Sequence, residues 1–251
     1  MNLMNKIRTL LALPISLFFC LWYLPFSQAI KIPIILYNPK LYCIKGKVII
    51  NATKVRFGMI RLGLFITNQY PNNGISFYNK GTILFKGDAC IGANSAITVL
   101  RNNSYVEIGE RFGNSSTLRI NCDYRIILYG AVRCGCNVQI MDSAMHRLKN
   151  KQGLFVGRGY DEVIIGSHTW LATDVTVMQG TKLPPYSVVA ARSLCNQDYS
   201  EHGSYGLYAG IPAKYKKSGN WRDINDDSII IENEYSLYFF LSAYSAIGWR
   251  I

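Results

Sequence analysis

Aliphatic side chains recur every six residues in the second half of the chain, at Ile165, Leu171, Val177, Leu183 and Val189. Four positions beyond each stands a small or β-branched residue: Thr169, Val175, Thr181, Ser187 and Ser193. The same beat runs through Phe85, Ile91 and Ile97, and again through Ile108, Asn114, Ile120, Ile126, Val132 and Val138. Neither a 3.6-residue helix nor a period-two strand produces such spacing. It predicts a parallel β-helix in which each hexad forms one flat face and three hexads close one triangular coil. The aliphatic residue points into the prism, and the small residue fills the narrow space beside the corner. A sandwich of buried strands does not fit, because irregular hairpin loops would break the phase.

The pattern divides the chain. Residues 1–45 form an apolar, basic N-terminal segment, residues 46–217 the β-helix, and residues 218–251 a tail that packs back on the coils through the apolar run 235–244. The coils before residue 80 are poorly phased, and the repeat is clear from about Ile83 to Leu194. It is interrupted briefly at 102–105 and at length over 147–162, a stretch with Gly153, Gly157 and Gly159 and four basic residues. Long excursions from a rigid scaffold are where chemistry is usually placed.

Charge adds a second asymmetry. The formal net charge is +12, yet no acidic residue precedes Asp88, while eleven basic ones do. The remainder is close to neutral, which argues against a nucleic-acid groove along the coils. A basic, apolar N-terminus points instead to an anionic membrane surface. Between Arg8 and Lys31 lies an uncharged run long enough to span a bilayer, but it contains Pro14 and Pro25. Four readings stand: a segment lying in the membrane interface, a spanning helix, a cleaved signal, or a cap on the end of the solenoid. Basic residues on both sides of the run disfavour export of the main domain. The expected location is cytoplasmic, peripheral at the inner face of the membrane. Seven cysteines, an odd number, fit a reducing compartment, and none is spaced as a zinc site.

Candidate chemistry sits just before the long excursion, where Asp142 is followed four residues later by His146. A histidine titrating near neutrality can take the proton from a hydroxyl attacking a carbonyl, and a carboxylate beside it can orient the ring. His168 falls at an outward position of its hexad and reads as a solvated face. His202 follows the repeats and reads as surface.

At these residues the chain resembles the hexapeptide-repeat acyltransferases, all-β proteins built as a left-handed parallel β-helix, and among them the bacterial polysaccharide O-acetyltransferases. The resemblance rests on Asp142 and His146, on the coil from Ile165 to Ala172, on Val188 to Ser193, and on the closing run from Tyr208 to Lys214. It covers roughly residues 80–217. It implies acetyl transfer from acetyl-CoA to a sugar hydroxyl of a glycan or lipid-linked intermediate, in a homotrimer with sites between subunits. By position His146 is the general base, and Trp170, Ala172, Ala190, Arg192 and Lys214 serve the CoA groove. No metal is expected. Ala144 stands where the family usually has an acidic or amide residue, and Ala172 where it usually has glycine. Three other classes are weighed against this: a small-molecule acetyltransferase, a zinc hydratase on the same fold, which needs three converging histidines, and a non-catalytic β-helix that only binds.

Overall fold

The computed structural model describes residues 3–157 and 159–224. Three parallel sheets form the three faces of a prism, and each coil contributes one strand to each face. The first coil is Ile34–Leu36, Pro39–Ile44 and Lys47–Ile50, so the expected boundary at residue 46 falls inside it. Face 1 continues through Ile60–Leu64, Ala89–Gly92, Phe112–Asn114, Arg133–Cys134, Trp170–Leu171 and Val188–Val189. Face 2 runs from Pro39–Ile44 to Leu194–Cys195, and face 3 from Lys47–Ile50 to Lys182–Leu183. Residues 225–251, with the expected apolar run of the tail, lie outside the described residues.

Inward side chains stack in register from coil to coil. On face 2 Phe77, Ile97, Ile120, Ile140, Val177 and Cys195 form one ladder. On face 3 Ile50, Phe85, Ile108, Leu128, Ile165 and Leu183 form another. All of these are buried. On face 1 Asn114 occupies the slot between Ile91 and Cys134. Its buried amide is fully used. Oδ1 accepts from the Gly92 N–H at 3.2 Å, and Nδ2 donates to the carbonyls of Ser116 at 3.1 Å and Gly135 at 2.9 Å. A buried polar side chain is tolerated where its hydrogen bonds are met.

The repeat phase differs from the sequence reading in one place. Ile126, Val132 and Val138 are buried, but the ladder positions are Leu128, Cys134 and Ile140, two residues further on. The corner at 123–124 is longer than a plain hexad, so the aliphatic beat passes from the ladder slot to the small slot. That corner joins faces 2 and 3. The interruptions at 102–105 and 142–162 leave the same corner in the neighbouring coils, so three successive insertions share one edge of the prism.

Both ends of the stack are closed. At the first coil a helix, α1 (Leu3–Tyr23), lies across the open end. The Leu36 N–H donates to Ser16 Oγ at 2.9 Å, Cys20 Sγ approaches the Ile34 carbonyl at 3.6 Å, and Trp22 Nε1 donates to the Ile44 carbonyl at 2.9 Å. These contacts satisfy edge groups of the first strands that have no preceding coil to pair with. Phe19 drops into the interior, its ring 5.2 Å from that of Phe77 and nearly perpendicular to it. At the last coil Tyr199 and Tyr208 fill the interior, with the Tyr199 hydroxyl donating to the Ala213 carbonyl at 3.1 Å. One side of α1 is built into the fold, with Ala12, Ser16, Phe19, Cys20 and then Leu24 buried.

The opposite face of α1 stays apolar and exposed. Leu10, Leu11, Phe18 and Trp22 are all about half exposed or more, and Pro14 breaks no inward contact. The two faces therefore predict opposite responses. Phe19→Ala should lower stability by about 3–5 kcal/mol, the usual cost of emptying a buried phenyl site. Phe18→Ala should change it by less than about 0.5 kcal/mol. Urea unfolding of the two variants side by side checks the contrast.

Candidate active site

The longest insertion begins with Asp142, at the corner between faces 2 and 3 in the fifth coil. Asp142 is fully buried. Its Oδ1 accepts from the Asp123 N–H at 2.7 Å, and its Oδ2 from the Tyr124 N–H at 2.8 Å and the Cys122 thiol at 3.1 Å. The carboxylate thus caps the corner of the coil below. Burial, and then the carboxylate beside it, push the Cys122 thiol well above its usual range. This corrects the expectation that Asp142 orients the His146 ring: its acceptor oxygens are directed into the corner.

From that anchor the chain turns outward. The Ser143 hydroxyl donates to the Gly159 carbonyl at 3.1 Å, and the Ala144 N–H donates to Gln179 Oε1 at 2.8 Å. The Asp161 N–H returns to the Asp142 carbonyl at 2.9 Å, closing the neck of the loop. His146 stands just outside this neck, exposed to solvent. Beyond it Leu148–Lys149 pairs antiparallel with Phe155–Val156, and the Arg147 guanidinium lies 3.9 Å from the Phe155 ring centre. Leu148, Leu154, Phe155 and Val156 are each more than half exposed. A hairpin tip so apolar is an unsatisfied surface for a free monomer.

The residues expected to serve CoA occupy another part of the prism. Trp170 sits on the outer side of face 1, and the Arg222 guanidinium lies 5.2 Å from its ring centre. Ala172 and Ala190 follow at the corner between faces 1 and 2, in successive coils. Arg192 caps the same corner in a left-handed turn, its Nε 3.6 Å from Asp174 Oδ2. Lys214 is exposed on the strand Ala213–Ser218, which closes face 1 as an antiparallel edge. These five therefore gather at the last coils of face 1 and its edge. His146 lies at the far edge of face 2, so one chain does not bring it to them.

His168 is not the solvated residue expected. Its ring stacks on Tyr186 at 4.6 Å, Tyr186 stacks on Tyr205 at 4.7 Å, and Trp221 meets Tyr186 edge-on at 5.3 Å. Burial, and then the nearby Arg111 charge, hold its pKa below the usual histidine value. His202 stacks on Tyr215 at 4.5 Å after the last coil. The three histidines thus occupy three separate places in the chain. Among the described residues no group of three His, Cys, Asp or Glu is placed to hold a metal ion.

One feature escaped the sequence reading. On face 1 the outward positions of successive coils are Arg61, Cys90, Gly113, Arg133 and Trp170. The first four line a concavity of about 380 Å³ together with Arg111 and Arg222. The signal was present as arginines at outward strand positions, but the phase slip after Ile120 hid the register that stacks them.

No protein-family model matches the chain, and no curated protein matches its sequence. Solved structures do resemble it. The polySia-specific acetyltransferase NeuO is 19% identical, with a TM-score of 0.50 over 83% of this chain and 98% of that one. The polysialic acid O-acetyltransferase OatWY is 18% identical, with a TM-score of 0.35 over 77% and 84%. A hexapeptide-repeat acetyltransferase from Vibrio cholerae O1 biovar eltor, VCA0836, solved with acetyl coenzyme A, is 14% identical, with a TM-score of 0.36 over 88% and 91%. With NeuO the chain shares its fold, a left-handed parallel β-helix of hexapeptide coils.

Proposed function

We propose that this protein is an acetyl-CoA-dependent O-acetyltransferase acting on a glycan hydroxyl. The observation that carries the reading is the placement of His146: an exposed imidazole at the neck of the longest insertion, on a corner pinned by Asp142. In the reaction His146 takes the proton of the acceptor hydroxyl as its oxygen attacks the thioester carbonyl. A backbone N–H holds the developing oxyanion. The C–S bond then breaks, and the imidazolium returns the proton to the departing CoA sulfur. Trp170, Ala172 and Ala190 offer a shallow strip for the pantetheine chain, and Arg192 and Lys214 supply charge for its phosphates. The fold shared with NeuO, a polySia-specific acetyltransferase, supports a glycan acceptor.

The working unit in this reading is a C₃ trimer. His146 and the CoA strip lie at opposite edges of face 2, and a threefold arrangement brings the first edge of one subunit against the second edge of its neighbour. The exposed apolar hairpin beside His146 supplies a surface for that contact. The protein is also peripheral to the inner face of the membrane, with the outer face of α1 in the interface and the surrounding lysines on lipid phosphates. Exposed Lys6, Lys31, Lys40, Lys45 and Lys47 surround this end, and no acidic residue precedes Asp88. Free cysteines, seven among the described residues, agree with a reducing cytoplasm.

His146→Ala should lower acetyl transfer by about 10²–10⁴-fold, the usual worth of a general base, with acetyl-CoA affinity unchanged; activity near wild type would remove His146 from the mechanism. Light scattering at assay concentration should return the mass of three chains, and a fully active monomer would end the intersubunit site. The paired substitution Leu11→Glu and Phe18→Glu touches only exposed positions of α1. It should move the protein from the membrane fraction to the soluble one while the coils stay folded. Wild-type protein recovered wholly in the soluble fraction at low salt would defeat the membrane reading.

A further inference from the structure

Three successive coils lengthen at the corner between faces 2 and 3, and each insertion braces the next. From the first, Ser104 Oγ donates to the Asp123 carbonyl at 2.7 Å. The Arg101 guanidinium forks onto the Asp123 carboxylate, with Nη2 reaching Oδ2 at 3.0 Å. From the third, Asp142 accepts the N–H groups of Asp123 and Tyr124. The Tyr124 carbonyl accepts from the Tyr105 N–H at 2.9 Å. All four backbone polar groups of this dipeptide are thus used, yet the Tyr124 ring is 40% exposed.

A second exposed tyrosine meets it. Tyr160 bridges antiparallel to Ser143 in the neck of the His146 loop, three residues before His146 in the chain. Its neighbours fix it on both sides. The Gly159 carbonyl accepts from Ser143 Oγ and the Ala144 N–H, and the Asp161 N–H donates to the Asp142 carbonyl. Tyr160 is 44% exposed, and its ring centre lies 5.3 Å from that of Tyr124, with the planes tilted by 47°. The pair stands outside the prism and fills no part of the core. Packing therefore does not account for two exposed rings on so fixed a backbone. Rings held in this way form a surface prepared before its ligand arrives.

The chemistry of the patch selects what it holds. Tyrosine offers a flat apolar face with a polar rim, at low conformational cost. A pyranose ring has the complementary form, with C–H groups on its faces and hydroxyls around its edge. The hairpin beyond, with Leu148, Leu154, Phe155 and Val156 exposed, is aliphatic and phenyl and suits a subunit contact instead. Three coils span about 10 Å along the prism axis at the usual strand spacing, so the edge has length for more than one sugar. We propose that Tyr124 and Tyr160 form the acceptor subsite, stacking one sugar ring of the glycan so that a hydroxyl of the adjoining sugar reaches His146. That the stacked glycan is the acceptor rests on the acetyl-transfer reading; sugar binding by the pair does not.

The test is a screen of the full chain, without acetyl-CoA, against arrayed oligosaccharides of bacterial cell surfaces, followed by calorimetric titration of the best-bound glycan. Wild type should bind, and Tyr124→Ala and Tyr160→Ala should each weaken binding about tenfold with acetyl-CoA affinity unchanged. Tyr160→Phe keeps the ring and should bind within about twofold of wild type. In turnover, KM for the acceptor should rise in the alanine variants with kcat held. Should an alanine variant fail to fold, wild type alone decides: ring currents should move C–H proton resonances of the bound sugar upfield. No glycan bound, alanine variants that bind as wild type does, unshifted sugar resonances, or a lower assembly mass in the alanine variants would each overturn the proposal. Binding that needs both rings, in a wild type that transfers no acetyl group, would leave the site standing and reject the enzymatic reading.

Discussion

Everything in this molecule depends on closing the ends of an open stack. A parallel β-helix pairs each coil with its neighbours, so the first and last coils present bare strand edges and an open apolar core. At the N-terminal end the solution is a helix whose Ser16, Cys20 and Trp22 meet the edge groups of the first coil while Phe19 plugs the interior. At the other end two tyrosines fill the prism and the strand Ala213–Ser218 turns back to cover the edge. Because α1 is part of the core on one side, a purely spanning orientation would strip the first coil of its cover.

Closure leaves the corners free to vary, and only one of them does so repeatedly. Each face must keep its register or the inward ladder is lost. A corner can lengthen without cost to the ladder provided its backbone is satisfied. The coils at 102–105, 123–124 and 142–162 all lengthen at the junction of faces 2 and 3. Asp142 shows how such a corner is held: the carboxylate of the longest insertion hydrogen-bonds the backbone of the shorter insertion beneath it. The loop bearing His146 is in this way stacked on its neighbour rather than hung from a bare coil.

The fold was legible because the hexad beat is a direct image of the inward ladder. It was clearest from Ile165 to Val189, where plain hexads follow one another without insertion. It misled between Ile120 and Cys134, because an aliphatic residue fits the small inward slot as well as the ladder slot, so a two-residue slip left the beat audible. The first coils were hard to phase for a similar reason: the chain between Leu64 and Ile75 wanders at a different corner. His146 stands at the start of the longest insertion, where its position in the sequence put it. Asp142 has another partner than the one expected, since spacing says nothing about which neighbour a buried carboxylate faces. The stacking of His168 on Tyr186 joins successive coils, and the arginine column of face 1 joins several more. Both relations become visible only once the register is known.

The uneven charge of the chain follows the prism axis. The end carrying α1 holds exposed lysines, and no acid precedes Asp88. Toward the C-terminal coils acids and bases alternate, as in the column of Glu162, Lys182 and Asp198 from three successive coils. Such a gradient attracts anions toward one half of the molecule and does nothing for the other. The net excess lies almost wholly before Asp88, while basic residues such as Arg192 and Lys214 near the last coils are offset by acids, so the field has a direction along the prism axis.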